Sequence, residues 1–465
     1  MQWTPAQIEA ATRARVRPGR ALPTGGLGPV VADSRQATPG CLFVPIRADR
    51  DGHGFIPAAV EAGAAGFLCD PASGLVAEGE RGPRRQPRQS AEPAGSAAWS
   101  FEVADTGRAL LDLGGAARDR LAARVVGITG SVGTTSSRDL TAAALAPRWK
   151  VTASARSFNN ELGVPLTLAN AAPDTDVTVV EMGARGPGHI ARLCRVARPT
   201  VAVVTAVAAV HTEFFGDLRS VARSKGELVE ALPADGTAVL NADDPAVAAM
   251  AERTDAAVVS YGLRPGADVV ATEVRLDADL RPTFMLRSPW GTVEVRPAVR
   301  GEHQVANTLA AAAVALTWDV PLAAVADGLA RAELSPWRMQ LEHTAGGAAV
   351  LNDAYNANPT SMAAALRALA ALDARRRVAV IGEMAELGPI AADEHRRIAA
   401  LASELGIQVV AVGTSLYGPG AVGGPAQAAA VLGPLGPDDA VLVKASRVAG
   451  LERLAELLCR AGPEA

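Results

Sequence analysis

Apolar residues in this chain come mostly as short unbroken runs, set off by glycine-rich or polar turns and by stretches with helical spacing. In the middle of the chain the runs are Arg124-Val-Val-Gly-Ile128, Asp176-Val-Thr-Val-Val-Glu181, Thr200-Val-Ala-Val-Val-Thr205 and Ala238-Val-Leu-Asn-Ala-Asp243. A strand with one wet face alternates in polarity. An unbroken run fits a strand covered on both faces, as in a parallel sheet between helices. Helices are predicted over Leu140–Leu145 and Gly188–Arg195. Further runs at Ala348–Asp353, Arg377–Gly382, Gln408–Gly413 and Ala440–Lys444 predict a second open α/β sheet. Nearer the N-terminus, Val30–Arg35, Cys41–Ile46 and Gly66–Cys69 are short strands, and Phe55–Ala65 has helical apolar spacing at Ile56, Ala59 and Val60. Glu78–Ser96 has almost no apolar residue to bury, which predicts a disordered surface insertion.

The expected fold class is α/β with three domains: a small N-terminal α/β domain over 1–110, a central parallel-sheet domain over 111–336, and a C-terminal Rossmann-like domain over 337–465. The central domain opens on Gly127-Ile-Thr-Gly-Ser-Val-Gly-Thr-Thr-Ser-Ser-Arg-Asp139. Strand, glycine turn and helix N-terminus together make a phosphate cradle, because glycines let backbone N–H groups approach an anion that the helix dipole favours. Gly130, Ser131 and Gly133 form the turn, and Thr135 and Ser136 supply hydroxyls. A P-loop of the ATPase type would carry lysine where Thr134 stands. Polar residues gather at the carboxyl ends of the parallel runs, where α/β sheets bind ligands.

Composition narrows the class. The 465 residues carry a net charge of −4, which gives no electrostatic reason to expect nucleic acid as partner. Four cysteines, Cys41, Cys69, Cys194 and Cys459, stand far apart without metal-ligand spacing and predict reduced thiols. The N-terminus lacks a basic apolar signal, and no apolar run reaches the roughly 20 residues of a membrane span. A soluble, cytoplasmic monomer is expected.

Longer motifs carry a family resemblance. Asp33-Ser-Arg35, Gly40-Cys-Leu-Phe-Val44, Asp51-Gly-His-Gly-Phe55, Ser157-Phe-Asn-Asn-Glu-Leu-Gly-Val-Pro-Leu166 and Glu181-Met-Gly-Ala-Arg-Gly186 come first. Lys225-Gly-Glu227, Asn241-Ala-Asp-Asp-Pro245, Gly301-Glu-His-Gln-Val-Ala-Asn307, Trp337-Arg-Met339 and Asn352-Asp-Ala-Tyr-Asn-Ala-Asn-Pro359 follow in order. This ordered set resembles the Mur ligase family, in the branch that adds D-alanyl-D-alanine during peptidoglycan synthesis. The resemblance implies an ATP-dependent amide ligase. In the implied reaction, the carboxylate of a UDP-N-acetylmuramoyl tripeptide is activated as an acyl phosphate and then captured by the amine of D-alanyl-D-alanine. Phosphoryl transfer of this kind depends mainly on positioning and charge neutralisation.

The same resemblance implies roles residue by residue. Thr135, Glu181, His211 and Lys225 would bind two Mg²⁺ ions, with Lys225 carboxylated on its Nζ. His303, Asn307, Arg338 and Asp353 would join Gly130, Ser131, Gly133, Thr134, Thr135 and Ser136 in holding ATP. Lys225, Glu181, His211 and Arg338 would be the catalytic set. Asp33, Ser34 and Arg35 would belong to the UDP-binding domain, Asn159 and Asn160 would hold the muramoyl peptide, and Tyr355, Asn356, Asn358, Lys444, Ser446 and Arg447 would line the substrate side of the cleft. Taken alone, Lys225 is a solvated helix lysine, Asn159 and Asn160 build a turn, and His211 is a structural histidine. Arg138 lies one turn into the helix, too far on to fold back over the phosphates, so Arg338 is the better candidate to offset Thr134. Three functions stay open: a D-alanyl-D-alanine-adding ligase with a weakened or compensated loop, a paralogous ligase for another acid and amine, and a non-catalytic binder of UDP-muramoyl peptide or partner enzymes.

Overall fold

The computed structural model describes residues 1–19, 22–71, 98–155, 158–208 and 212–460. The Glu78–Ser96 stretch, Ser157 and His211 lie outside the described residues.

Along the chain the elements begin with α1 (Pro5–Thr12), β1 (Arg15–Arg17), β2 (Val30–Val31), β3 (Leu42–Phe43), α2 (Ile56–Glu61), β4 (Gly66–Cys69), β5 (Trp99–Glu102) and α3 (Thr106–Arg120). Next come β6 (Arg124–Thr129), α4 (Thr134–Leu145), β7 (Val151–Ala153), α5 (Gly163–Asn170), β8 (Val177–Glu181), α6 (His189–Ala197), β9 (Val201–Val204), α7 (Thr212–Phe215), α8 (Leu218–Glu230), β10 (Thr237–Asn241) and α9 (Pro245–Ala248). Then follow β11 (Ala257–Gly262), β12 (Val269–Leu276), β13 (Pro282–Ser288), β14 (Gly291–Val295), α10 (Gln304–Thr317) and α11 (Leu322–Ala330). The last are β15 (Gln340–His343), β16 (Ala349–Asn352), α12 (Pro359–Ala371), β17 (Arg376–Gly382), α13 (Ala391–Glu404), β18 (Gln408–Val412), α14 (Pro425–Leu432), β19 (Asp439–Lys444) and α15 (Glu452–Arg460). Among the described residues, no helix is long and apolar enough to cross a membrane.

Contacts divide the chain into two compact units. The first comprises Met1–Val125, Lys150–Met182 and Arg192–Pro199. It holds the sheet β1-β5-β4-β3-β2, parallel except for the β1/β5 pair, and the parallel β7/β8 pair. Helix α3 packs on α5 so closely that a Cβ at Gly114 would stand 2.5 Å from Pro165, which is why glycine is needed there.

The second unit comprises Val126–Trp149, Gly183–Ala191 and Thr200–Ala465. Its strands β6, β9, β10, β11 and β12 pair in parallel, and β12, β13 and β14 continue antiparallel. A further sheet runs β15-β16-β19-β17-β18, parallel except for β15/β16. The unbroken runs Val126–Ile128, Val201–Val204, Val378–Ile381 and Ala440–Val443 are buried throughout, as strands covered on both faces require.

Two expectations change. Helix α4 begins at Thr134, not at Leu140, so the loop hydroxyls belong to its first turn. Phe55–Ala65 shortens to a 3₁₀ turn over Gly52–Phe55 followed by α2, which ends at Glu61.

Candidate active site

The phosphate cradle is assembled within the second unit. Gly133 caps α4 with φ +80°, a left-handed conformation that favours glycine, and no side chain caps the helix. Its leading N–H groups are thus of the kind that serve an anion. A Cβ at Gly133 would stand 2.3 Å from Asn307 Oδ1, and one at Gly130 would stand 1.8 Å from Thr205 Oγ1. Both glycines are therefore fixed by their neighbours as well as by the turn.

The end of β9 braces the loop. Thr205 Oγ1 donates to Val132 O (2.6 Å), Ser131 Oγ donates to Ala208 O (3.1 Å), and Ser131 N–H donates to Ala206 O (2.8 Å). From the other side α10 braces the first turn of α4. Ser137 Oγ donates to Asn307 Oδ1 (3.2 Å), and Asn307 Nδ2 donates to Gln304 Oε1 (2.8 Å). Asn307 thus shapes the loop directly, while His303 stands exposed at the N-cap of α10. Thr205 and Gln304 did not stand out in the sequence. The only signal for Thr205 was a hydroxyl closing an apolar run.

No lysine stands in the loop. Arg138 is 2% exposed, with its guanidinium on Asp139 and on Ser335 Oγ (2.7 Å). Arg338 is the cation that reaches the loop: its Nη2 donates to Thr135 Oγ1 at 2.9 Å, and its guanidinium lies 4.2 Å from the centre of the Tyr355 ring. The buried Nε–H of Arg338 has no acceptor among the described residues, an orphan donor beside a phosphate cradle. Trp337 (φ +61°) and Met339 (φ +52°) flank it in left-handed conformations, each a strain of about 1–3 kcal/mol for a non-glycine residue.

Asp353 fixes that turn. Its Oδ1 accepts the Met339 N–H (3.1 Å) and its Oδ2 accepts Lys444 Nζ (2.5 Å). Lys444 also donates to Asn356 O (2.8 Å). Burial, reinforced by Arg338, pulls the Lys444 ammonium below its ordinary pKa, and Asp353 opposes that shift. Tyr355 presents its ring to Arg338, and Asn356 is exposed. Asn358 caps α12 by accepting the Ser361 N–H (2.9 Å). Ser446 accepts from Ala385 N–H (2.9 Å), and Arg447 pairs with Glu452 (2.8 Å) while lying 4.5 Å from the centre of the Trp337 ring.

Lys225 lies on α8 and is only 2% exposed, not the solvated lysine that its local sequence suggests. An ammonium is not buried without strong compensation. In the first unit, Glu181 ends β8 and is buried, with Asn159 Nδ2 donating to its Oε1 at 3.1 Å. Asn160 accepts from Leu162 N–H (3.2 Å) and Gly163 N–H (3.0 Å) at the start of α5. Asp33 caps the turn Ser34–Gln36 and holds Arg35 in a two-point ion pair. Among the described residues, no group of three or more His, Cys, Asp and Glu side chains is placed to hold a metal.

A glycine cradle at a strand–helix junction, with an arginine reaching it from the turn before β15, narrows the choice of family, and comparison decides it. Residues 128–315 match the Mur ligase middle domain and residues 337–457 match the Mur ligase, glutamate ligase domain. The UDP-N-acetylmuramoyl-tripeptide–D-alanyl-D-alanine ligase of Mycobacterium tuberculosis is 40% identical over 97% of this chain and 96% of its own length. The chain belongs to the Mur ligase family. Among solved Mur ligases, MurF from Acinetobacter baumannii superposes with a TM-score of 0.84 at 27% identity, covering 99% of both chains. MurF from Thermotoga maritima, solved in complex with ADP, superposes with a TM-score of 0.76 at 25% identity, covering 92% of this chain and 96% of its own.

Replacing Gly133 in this Mur ligase by alanine is expected to weaken ATP binding at least tenfold. The left-handed backbone alone penalises a Cβ by about 1–2 kcal/mol, and the Asn307 amide must also move. Calorimetric titration with ATP checks this, and wild-type affinity in Gly133→Ala would contradict it.

Proposed function

We infer that this chain is an ATP-dependent ligase that joins D-alanyl-D-alanine to UDP-N-acetylmuramoyl tripeptide in peptidoglycan synthesis. The observation that carries the reading is Arg338 Nη2 donating to Thr135 Oγ1 in the first turn of the helix that the glycine cradle opens. Near-complete coverage of relatives named for this reaction supports the choice of substrates.

In this reading ATP supplies the phosphoryl group that activates the peptide carboxylate for attack by the dipeptide amine. Backbone amides at Gly133–Thr135 and the Arg338 fork hold phosphate oxygens; a planar guanidinium suits two-point binding. Thr135, Glu181, His211 and a carboxylated Lys225 would hold two Mg²⁺ ions; hydroxyl, carboxylate and carbamate oxygens are the hard donors that Mg²⁺ takes, and His211 would add a nitrogen. Carboxylation of the buried Lys225 Nζ would turn that side chain into an oxygen donor of the kind Mg²⁺ takes. Asn159 orients Glu181. The segment 1–110 takes the UDP moiety, 111–336 takes ATP, and 337–465 receives the dipeptide.

The test is phosphate release with product mass in the presence of ATP, Mg²⁺, UDP-N-acetylmuramoyl tripeptide and D-alanyl-D-alanine. Release that requires all three organic substrates, with one dipeptide mass added to the tripeptide, is expected. ATP hydrolysis indifferent to the dipeptide, or no turnover, would overturn the reading.

Thr134→Lys should raise kcat/KM for ATP by at most about tenfold while Arg338 is present, less than the roughly 1.5–3 kcal/mol of a full charge-assisted contact, because Arg338 already supplies part of that charge. Steady-state kinetics at saturating peptide checks it. A slower Thr134→Lys enzyme would show that the loop has no room for a second cation.

A further inference from the structure

A cavity of about 650 Å³ opens in the first unit between α1, α3 and the Arg192–Val196 part of α6, and none of the residues of the proposed reaction lines it. Its lining combines small apolar residues, Ala10, Ala11, Gly115 and Ala116, with Arg108, Arg120, Arg192 and Arg195.

The charges do not cancel. Arg108 Nε is taken by Asp112 (3.0 Å), and the other lining carboxylate, Asp119, pairs with Arg198 (2.5 Å). Arg120 instead lies 4.7 Å from the centre of the Trp3 ring and donates to Gln2 O (3.1 Å). Among the described residues, Arg120, Arg192 and Arg195 meet no carboxylate within ion-pair distance.

Gly115 supplies a second, independent sign. It lies inside the fifteen-residue helix α3, where glycine is about 1 kcal/mol less favourable than alanine. Packing explains its neighbour Gly114, whose Cβ would strike Pro165, but a Cβ at Gly115 would meet nothing within 4 Å. No contact in the fold requires glycine at 115, and a side chain there would enter the cavity.

We propose that this cavity binds an amphipathic organic anion, with a flat apolar body on the alanine–glycine floor and a carboxylate, sulfonate or phosphate head between the unpaired arginines. The indole of Trp3 is fully buried beneath the Arg120 guanidinium, with its N–H donating to Ala169 O (3.2 Å), and so holds that arginine at the edge of the cavity. Ion pairs with guanidinium are strongest for such planar or forked anions.

The test uses 8-anilinonaphthalene-1-sulfonate as probe on the full chain. Saturable fluorescence enhancement at one site is expected. Both Gly115→Phe, which fills the floor, and Arg192→Glu/Arg195→Glu should weaken the probe at least about tenfold. On the wild type, 2-naphthoate should displace the probe and 2-naphthylmethylammonium should not, a comparison that needs no variant to fold. Unchanged affinity in both variants with intact thermal melting, equal displacement by both naphthalenes, or unsaturable binding would each overturn the proposal.

Discussion

Lys225→Ala is expected to lower ligation by at least roughly a thousandfold, the scale on which loss of a group that stabilises developing charge acts. The side chain is almost wholly buried on α8, between residues that hold the neighbouring segments together: Ser224 donates to Gly186 O (3.2 Å), and Glu227 accepts N–H groups of Gly188 (2.6 Å) and Ala191 (2.9 Å). Alanine leaves those bonds in place and removes the oxygen ligand that a carbamate would present. Acetate should therefore restore part of the activity by occupying the vacated position, whereas bicarbonate should not, because no amine remains to take up CO₂. Lys225→Arg keeps the charge and cannot form the carbamate, so it should be as inactive as alanine. Steady-state phosphate release with and without acetate decides the matter, and wild-type turnover in Lys225→Ala would end the carbamate assignment.

Arg338→Ala is expected to be the next most damaging change. The guanidinium touches Thr135, stacks near Tyr355 and sits in a turn that Asp353 fixes through Met339. Removing one partner of a buried charge pair costs about 2–5 kcal/mol, which corresponds to a loss of roughly thirtyfold to several thousandfold. The loss should fall on kcat more than on KM, since the charge on the transferring phosphoryl group is greatest in the transition state. Arg338→Lys should recover part of it. An ammonium supplies charge without the two-point fork or the ring contact. Equal kcat in Arg338→Ala would remove Arg338 from the reaction.

Much of the fold was legible because parallel strands leave an unambiguous trace. Val126–Ile128, Val201–Val204, Val378–Ile381 and Ala440–Val443 are covered on both faces, so no polar residue interrupts them. Strands β12 to β14 left no such trace. Along β12 one face passes from buried at Val269 and Ala271 to exposed at Glu273 and Arg275, the positions between are half-buried, and the antiparallel register shifts between Thr272 and Arg275. Charged, half-exposed segments of that kind read as loop. The early start of α4 was hidden for a different reason. Thr134-Thr-Ser-Ser137 has turn chemistry by itself, and the braces that hold it helical come from Gln304 and Asn307 on α10.

The site divides the same way. The glycine loop announced itself, since glycines and hydroxyls are local chemistry. The family motifs pointed to Lys225 and Arg338, but neither the burial of the first nor the hand-over of the second to Thr135 could be read from their neighbours in sequence. Asn358 shows the opposite case: its amide caps α12, a structural duty that the motif did not distinguish from substrate binding.

The central claim is that Arg338 supplies the cation that Thr134 leaves missing from the loop. A double-mutant cycle tests it most directly, with kcat/KM for ATP measured on wild type, Thr134→Lys, Arg338→Ala and the pair. If the two cations share one role, Thr134→Lys should gain at least about ten times more in the Arg338→Ala background than in wild type, a coupling of roughly 1.4 kcal/mol. Effects that add to within about 0.5 kcal/mol, the behaviour of independent sites, would show that Arg338 does other work and that the loop functions without a replacement for its lysine.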